Sequence, residues 1–155
     1  MSLVNNSEKP VGIASDHAGF AAKQYVIKFL TERGIPYKDF GTYSAESADY
    51  ADYGHPLAEA VEKGECYPGI AICGTGNGIN MTVNKHQGIR GALCWNKEIA
   101  YYARAHNDAN ILSLPGRFLS EKEISEILEV FLNTPFEEGR HRRRIDKISW
   151  DKKCC

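Results

Sequence analysis

The sequence predicts a single Rossmann-like, doubly wound α/β domain with a five-stranded parallel sheet and a C-terminal helical arm. Two observations favour this fold class. Short apolar runs alternate with longer amphipathic stretches along the 155 residues, and the run at residues 69–73 is apolar on both faces, which is typical of a central parallel strand. Because parallel strands are joined by right-handed crossovers, helices are expected on both faces of the sheet.

The first half of the chain supplies two strands and two helices. Residues 11–15 form a short apolar strand. Residues 17–33 then carry apolar side chains at helical spacing, and Gly34 ends that helix. A second strand is predicted at residues 35–40, and helical spacing resumes at residues 56–64.

The second half begins with the strand at residues 69–73, which leads through a glycine-rich turn into a polar helix ending near Lys85. Two further strands and two helices follow, in the order 89–94, 97–105, 109–114 and 120–132. The basic segment at residues 136–149 lies beyond these units and is predicted to form the helical arm. Residues 1–9 are expected to be a disordered leader, residues 10–149 the domain itself and residues 150–155 a tail.

Charge and cysteine content exclude several classes of protein. Nineteen basic and twenty acidic residues leave a formal net charge of -1, which argues against a general binder of nucleic acid or anionic membranes. No apolar run approaches the ~20 residues of a membrane span. The five cysteines fit no zinc-binding spacing and no disulfide framework, so a reducing, cytoplasmic location is expected.

The predicted topology also predicts where the chemistry lies. In doubly wound sheets, ligands bind beyond the carboxyl ends of the strands. The polar segments at those ends are residues 15–17, 73–78, 94–95 and 114–117.

The glycine-rich turn after the third strand is the most informative of these segments. Its glycines let backbone N–H groups approach an anion at a helix start, where the helix dipole also favours a thiolate. It is not a dinucleotide fingerprint, because Ile79 stands where the third glycine is needed, and it is not a Walker A loop. The segment reads Cys73, Gly74, Thr75, Gly76, Asn77 and Gly78.

A cysteine at the end of a strand is more often a small buried residue than a reactive one. The adjoining glycine turn favours the reactive interpretation for Cys73. Cys94 occupies a similar strand end without such a turn, so it is predicted to be structural.

Two polar segments flank other strands. Asp16 and His17 follow the first strand, where they could hold a hydroxyl and a phosphate or simply cap the next helix. His106 and Asn107 precede the fifth strand, where they could act as a general acid or base and as an oxyanion donor. With Asp108, His106 and Cys73 would also suit a cysteine hydrolase, an alternative that leaves the basic arm unexplained.

The basic arm carries a run of arginines. Arg140 and Arg144 are four residues apart and share one helical face, which suits a single phosphate group. Arg142 and Arg143 point elsewhere and are expected to be solvated. Arg117, after the fifth strand, is predicted to join the phosphate-binding pair. A nucleic-acid interface remains an alternative that predicts steeply salt-dependent binding, although the balanced net charge weakens it.

Taken together, these motifs resemble the family shared by ribose-5-phosphate isomerase B and the galactose-6-phosphate isomerase subunits. The resemblance covers about residues 10–149 and is highly specific in combination. The segments that carry it are, in order, residues 15–20, 41–42, 49–50, 72–79, 84–85, 88–90, 106–108 and 139–141.

The resemblance implies a Rossmann-like homodimer or tetramer that interconverts ribose 5-phosphate and ribulose 5-phosphate, with neither a metal nor an organic cofactor. It implies that Cys73 is the base, that His106 opens the furanose ring and that Thr75 can relay a proton. It also implies a site between two protomers, in which the His106 segment and the arginine arm serve the partner's Cys73.

The same resemblance implies the substrate-binding residues. The residues expected near the sugar hydroxyls and ring oxygen are Asp16 and Tyr50. Those expected at the oxyanion are Gly74, Gly76, Asn77, Gly78 and Asn107. Those expected at or near the phosphate are His17, Arg117, Arg140, His141 and Arg144. Two alternatives stay open: isomerisation of a six-carbon sugar phosphate such as allose or galactose 6-phosphate, and a non-catalytic module that only binds a sugar phosphate.

Overall fold

The computed structural model describes residues 8–150. A five-stranded, all-parallel sheet lies at its centre, as the alternation of strands and helices predicted. The strands are β1 (Val11–Ser15), β2 (Tyr37–Asp39), β3 (Gly69–Cys73), β4 (Gly91–Leu93) and β5 (Ile111–Pro115). The helices are α1 (Phe20–Glu32), α2 (Tyr50–Glu62), α3 (Asn77–Val83), α4 (Lys97–Ala105), α5 (Glu121–Asn133) and α6 (Arg140–Ile145). Residues 1–7 and 151–155, which include most of the expected leader and tail, lie outside the described residues.

The strands lie in the order β2-β1-β3-β5-β4, so the chain changes direction twice across the sheet. The first reversal, between β1 and β3, is a switch point of the kind at which doubly wound sheets bind ligands. The second arises because the chain passes from β3 to the edge strand β4 and then returns to insert β5 between them.

Each face of the sheet has its own apolar core. Val26 of α1 and Phe131 of α5 are buried with Ile72 in one cluster. Leu57 of α2 and Ile79 of α3 are buried in the other cluster, on the opposite face. Helices therefore cover both faces of the sheet, and the doubly wound prediction is confirmed.

Helix α2 begins earlier than predicted. The sequence pattern placed its start at residue 56, whereas the helix begins at Tyr50 and contains Pro56 in its interior. Proline lacks the N–H that an interior helical residue donates, so it suggests a helix start rather than a helix interior. Packing outweighs this cost because Gly54 lies against Thr82 and Ile79 of α3, where a Cβ would come within 3.1 Å of Thr82 Cγ2.

The direction of the strands separates the chain into two working edges. Each strand ends at what we call the carboxyl edge, and α4 and α5 both run back from there to the amino edge. His106 directly follows α4 and therefore lies at the amino edge. The segment after α5 lies beside it, because the Glu137 N–H donates to the Ala105 carbonyl at 2.9 Å. Within residues 8–150, no helix is long and apolar enough to span a membrane.

Candidate active site

Asp16 and His17 lie at the carboxyl edge, directly after β1. The Asp16 Oδ1 atom accepts a hydrogen bond from the Gly19 N–H at 2.9 Å, so it holds the turn that leads into α1. The predicted helix cap is not formed, because Gly19 is the N-cap residue and α1 has no side-chain cap. His17 Nδ1 lies 3.1 Å from both the backbone N and O of Ala48. This contact leaves Nε2 as the His17 nitrogen that can face a ligand.

Cys73 ends β3, beside the first switch point. Its side chain is buried, with 4% exposure, and its carbonyl accepts from the Gly116 N–H at 2.9 Å. The turn after it requires glycine, because Gly76 has a φ of +74° and a Cβ there would lie 2.5 Å from Leu93 Cδ1. Thr75 Oγ1 accepts from the Asn77 N–H at 3.3 Å, which gives it a role within the turn.

Two side chains cover this turn. Arg117 lies over Gly74: its N–H donates to the Gly74 carbonyl at 3.0 Å, and a Cβ on Gly74 would lie 3.2 Å from Arg117 Cδ. Tyr50, the first residue of α2, places its ring against Gly78, where a Cβ would lie 2.6 Å from Tyr50 Cζ. The carboxyl edge therefore brings a thiol, a glycine turn, a guanidinium, a phenol and an imidazole to one place.

The other described cysteines lie in the apolar core. Burial raises the pKa of the Cys94 thiol to about 12, and it also raises the pKa of Cys66. Both thiols are therefore protonated at neutral pH, and the prediction that Cys94 is structural is confirmed.

His106 and His141 form a stacked pair at the amino edge. Their ring centroids are 4.2 Å apart with an interplanar angle of 14°, and the centroid of the Tyr102 ring lies 4.9 Å from that of the His106 ring. Burial lowers the pKa of His141, and the neighbouring His106 and Arg140 lower it further.

The basic arm lies beside this pair. Arg140 and Arg144 lie one turn apart on α6, as predicted, and both are exposed. Arg142 is not simply solvated, as the sequence suggested: its Nη2 lies 3.0 Å from Glu138 Oε1, and its guanidinium lies 4.7 Å from the centre of the Phe136 ring. A run of arginines does not show which member has an acidic neighbour on the same helical face.

Asn107 and Asp108 have different surroundings. Asn107 is exposed beside a surface cavity that Arg90 and Ile148 also line. The Asp108 carboxylate pairs with Arg90 at 3.1 Å and with Arg104 at 2.9 Å. Because two arginines hold this carboxylate, it does not orient His106, and the hydrolase alternative is wrong.

Within one chain, the predicted site residues fall into two groups. The group at the carboxyl edge contains Asp16, His17, Tyr50, residues 73–78 and Arg117. The group at the amino edge contains His106, Asn107, Arg140, His141 and Arg144. The expectation that Arg117 joins the arginine pair is therefore not met within a single chain, because α4 and α5 carry the second group to the opposite edge.

Sequence reasoning did not identify Glu137. Its Oε2 atom lies 3.6 Å from His106 Nε2 and 3.7 Å from His141 Nε2. The signal was present in part, because Glu137 and His141 are four residues apart. The contact with His106 spans 31 residues of chain and has no local pattern.

These three side chains are donor types that Zn²⁺ accepts, and among the described residues they are the one group whose ligand atoms all lie within 4.8 Å of one another. The imidazoles lie in nearly parallel planes, however, so their in-plane lone pairs run side by side. A metal ion would have to turn one ring out of the stack to use all three ligands, and we assign none here.

Comparison with known proteins gives consistent results along the chain. A family model described as ribose/galactose isomerase matches residues 11–148. Ribose-5-phosphate isomerase B of Escherichia coli (strain K12) is 38% identical over 141 residues, which cover 91% of this chain and 95% of that protein. A probable ribose-5-phosphate isomerase B of Mycoplasma pneumoniae is 41% identical over 140 residues, or 90% and 92% of the two chains.

Solved structures agree with the sequence relatives. A ribose 5-phosphate isomerase from Thermotoga maritima has a TM-score of 0.90 and 45% identity, with 92% of this chain and 99% of that chain covered. Ribose-5-phosphate isomerase B from Mycoplasma genitalium, solved with bound ribulose-5-phosphate, has a TM-score of 0.87 and 39% identity, with 92% and 95% covered.

Proposed function

The chain belongs to the ribose/galactose isomerase family, and from this premise we propose that it interconverts ribose 5-phosphate and ribulose 5-phosphate. Its relatives carry that activity in their names, and one was solved with ribulose-5-phosphate bound. The observation that carries the proposal is the position of Cys73, a buried thiol at the end of β3 beside a turn that requires glycine at residue 76. This reaction is a step of pentose phosphate metabolism.

The proposed chemistry is a proton transfer between neighbouring carbons. The Cys73 thiolate removes a proton from C2 of the open-chain aldose and returns it to C1, which passes through a negatively charged enediolate. N–H groups of residues 74–78 and the Asn107 amide stabilise that charge, an effect worth about 3–4 kcal/mol for a well-placed donor. Thr75 relays a proton between the substrate oxygens.

The remaining residues bind and prepare the sugar. His106 moves the proton that opens the furanose ring. Asp16 and Tyr50 contact the sugar hydroxyls and the ring oxygen. The phosphate is bound by His17, Arg117, Arg140, His141 and Arg144, and its binding energy positions C1 and C2 against the thiolate.

The active assembly in this proposal is a homodimer, which in turn can form a tetramer. The separation of the two residue groups supports it: the thiol and its turn lie at the carboxyl edge, and the ring-opening histidine and arginine arm lie at the amino edge. A second protomer brings its amino edge to the first protomer's Cys73. The proposed location is the cytoplasm, where the thiol stays reduced.

A direct assay tests the function. Ketose formation is measured from ribose 5-phosphate, allose 6-phosphate and galactose 6-phosphate at equal enzyme concentration. Cys73→Ala protein purified identically controls for isomerase from the expression host. We expect preferred turnover of ribose 5-phosphate. Preference for a hexose phosphate would move the substrate to the six-carbon class, and no turnover by folded, reduced protein would leave only a sugar-phosphate-binding module.

A further inference from the structure

We propose that Glu137 is a positioning residue for ring opening: its carboxylate holds the His106 imidazole and keeps a proton on Nε2, so that Nδ1 faces the sugar. This inference rests on the proposed isomerase function. Three features of the amino edge carry it, namely the anchoring of Glu137, the stacking of the two histidines and the charge around them.

Glu137 is anchored at two points. Its N–H donates to the Ala105 carbonyl at 2.9 Å, which ties its backbone to the residue directly before His106. Its Oε1 atom accepts from the Tyr101 hydroxyl at 3.2 Å. Its Oε2 atom is then left for the two imidazoles, at 3.6 Å from His106 Nε2 and 3.7 Å from His141 Nε2. A carboxylate held in this way can orient a side chain.

The His106 ring contacts two other rings. The His141 ring stacks on it with centroids 4.2 Å apart, and the Tyr102 ring lies 4.9 Å away at an interplanar angle of 51°. These contacts fix the plane of the imidazole, but they do not determine which nitrogen carries the proton. Glu137 lies beside His106 Nε2 and favours the tautomer with a proton there, because a carboxylate accepts a hydrogen bond from an N–H group and repels a nitrogen lone pair.

Glu137 is the acidic group among the charges around His141, whose pKa is lowered first by burial. Among the described groups that act electrostatically on His141, His106, Arg140 and Arg144 lower its pKa, and Glu137 alone raises it. Ring opening requires an imidazole that can give up and take back a proton, and Glu137 is the carboxylate placed beside the His106–His141 pair. The distances of 3.6 and 3.7 Å are longer than a hydrogen bond, and contacts of catalytic groups commonly shorten when substrate binds.

Rates measured in the two directions of the reaction distinguish a role of Glu137 in ring opening from a purely structural role. Ribose 5-phosphate is mostly a furanose and must be opened. Ribulose 5-phosphate cannot form a furanose because its C5 hydroxyl is esterified, so it reaches the enzyme as an open chain. A residue that assists ring opening should therefore affect the reaction from ribose 5-phosphate more than the reaction from ribulose 5-phosphate.

The test compares Glu137→Gln with Glu138→Gln. Glutamine keeps the shape of the side chain and removes the charge, and Glu138 is the adjacent residue, which pairs with Arg142 instead. For Glu137→Gln we expect roughly a ten- to hundredfold loss of kcat from ribose 5-phosphate, with a much smaller loss from ribulose 5-phosphate and little change in KM. Glu138→Gln should behave as wild type, and His106→Ala should show the same directional loss as Glu137→Gln, only larger.

A second measurement does not depend on turnover. Nitrogen-15 NMR of the His106 ring reports which nitrogen is protonated. We expect the Nε2–H tautomer in the wild type and in Glu138→Gln, and a mixture of tautomers in Glu137→Gln. Equal losses in both directions, or an unchanged His106 tautomer, would overturn the role of Glu137. If His106→Ala nevertheless loses more kcat from ribose 5-phosphate than from ribulose 5-phosphate, the proposed isomerase function is retained without a role for Glu137. A wild type inactive on both pentose phosphates overturns both proposals.

Discussion

Cys73, Cys66 and Cys94 are all buried, and their neighbours distinguish them. All three belong to the apolar clusters of the core, and burial raises the pKa of the Cys66 and Cys94 thiols. Cys73 adjoins the turn at residues 74–78, whose N–H groups can stabilise negative charge. Burial alone therefore does not predict reactivity, and the residues that follow the cysteine do.

Replacement of Cys73 should separate chemistry from binding. We expect Cys73→Ala to lower kcat by roughly a thousandfold, since a general base contributes that order of rate, while ribose 5-phosphate still binds through its phosphate. Calorimetric titration and a coupled ketose assay measure the two quantities. The matched control is Cys94→Ala, which should keep its kcat and lose about 1 kcal/mol of stability from the cavity left behind. A Cys73→Ala protein with near wild-type turnover would contradict the mechanism.

At the scale of elements, the hydrophobic pattern predicted which segments form strands and helices, but it did not predict the order of the strands in the sheet. The run at residues 69–73 is apolar throughout, and β3 is indeed buried in the middle of the sheet. The insertion of β5 between β3 and β4 could not be predicted, because an apolar strand has the same pattern beside any parallel neighbour. The early start of α2 was missed because its packing on α3 outweighs the signal from Pro56.

The turn between β3 and α3 gives a prediction about an element. Gly76 has a φ of +74°, and a Cβ there would lie 2.5 Å from Leu93 Cδ1 and 3.0 Å from the Leu114 backbone carbon. Gly34 has a similar φ of +65° but nothing within 4 Å of such a Cβ. We expect Gly34→Ala to cost about 1 kcal/mol, from the backbone alone.

Gly76→Ala should cost about 1–3 kcal/mol more than Gly34→Ala, because overpacking adds to the backbone strain, and it should also lose activity as the turn shifts. Urea denaturation of both variants measures the difference. Equal destabilisation would show that Leu93 moves aside and that the turn is not tightly constrained.

At the scale of the whole molecule, the winding of the chain divides the predicted site. Cys73 pairs in register with Pro115 at the end of β5, whereas His106 precedes the start of that strand. Five residues of strand separate the two edges by about 13 Å before any loop is counted. The sequence predicted the members of both groups from their motifs. It could not predict Glu137, whose role depends on bringing the ends of α4 and α5 together.

The proposed assembly predicts a specific pattern of complementation. In the proposed two-fold dimer, each site combines the carboxyl edge of one protomer with the amino edge of the other. If one protomer is defective at its carboxyl edge and its partner at its amino edge, both defects fall in the same site and the other site is intact. We therefore co-express Cys73→Ala with the double variant Arg140→Ala and Arg144→Ala. Each heterodimer then has one doubly defective site and one intact site. Because half of randomly formed dimers are heterodimers, activity should return to about a quarter of the wild-type value, although each parent is nearly inactive.

The matched control pairs two defects at the same edge, Cys73→Ala with His17→Ala. These heterodimers form equally well, yet neither of their sites is intact, so activity should not exceed that of the more active parent. Differently tagged protomers allow the heterodimers to be purified and assayed directly. Restoration in the control would mean that His17 and Cys73 serve different sites. If activity is not restored in the first pair, both edges contribute to a site within one chain. The path of the chain from β5 to α6 would then differ from the one described here.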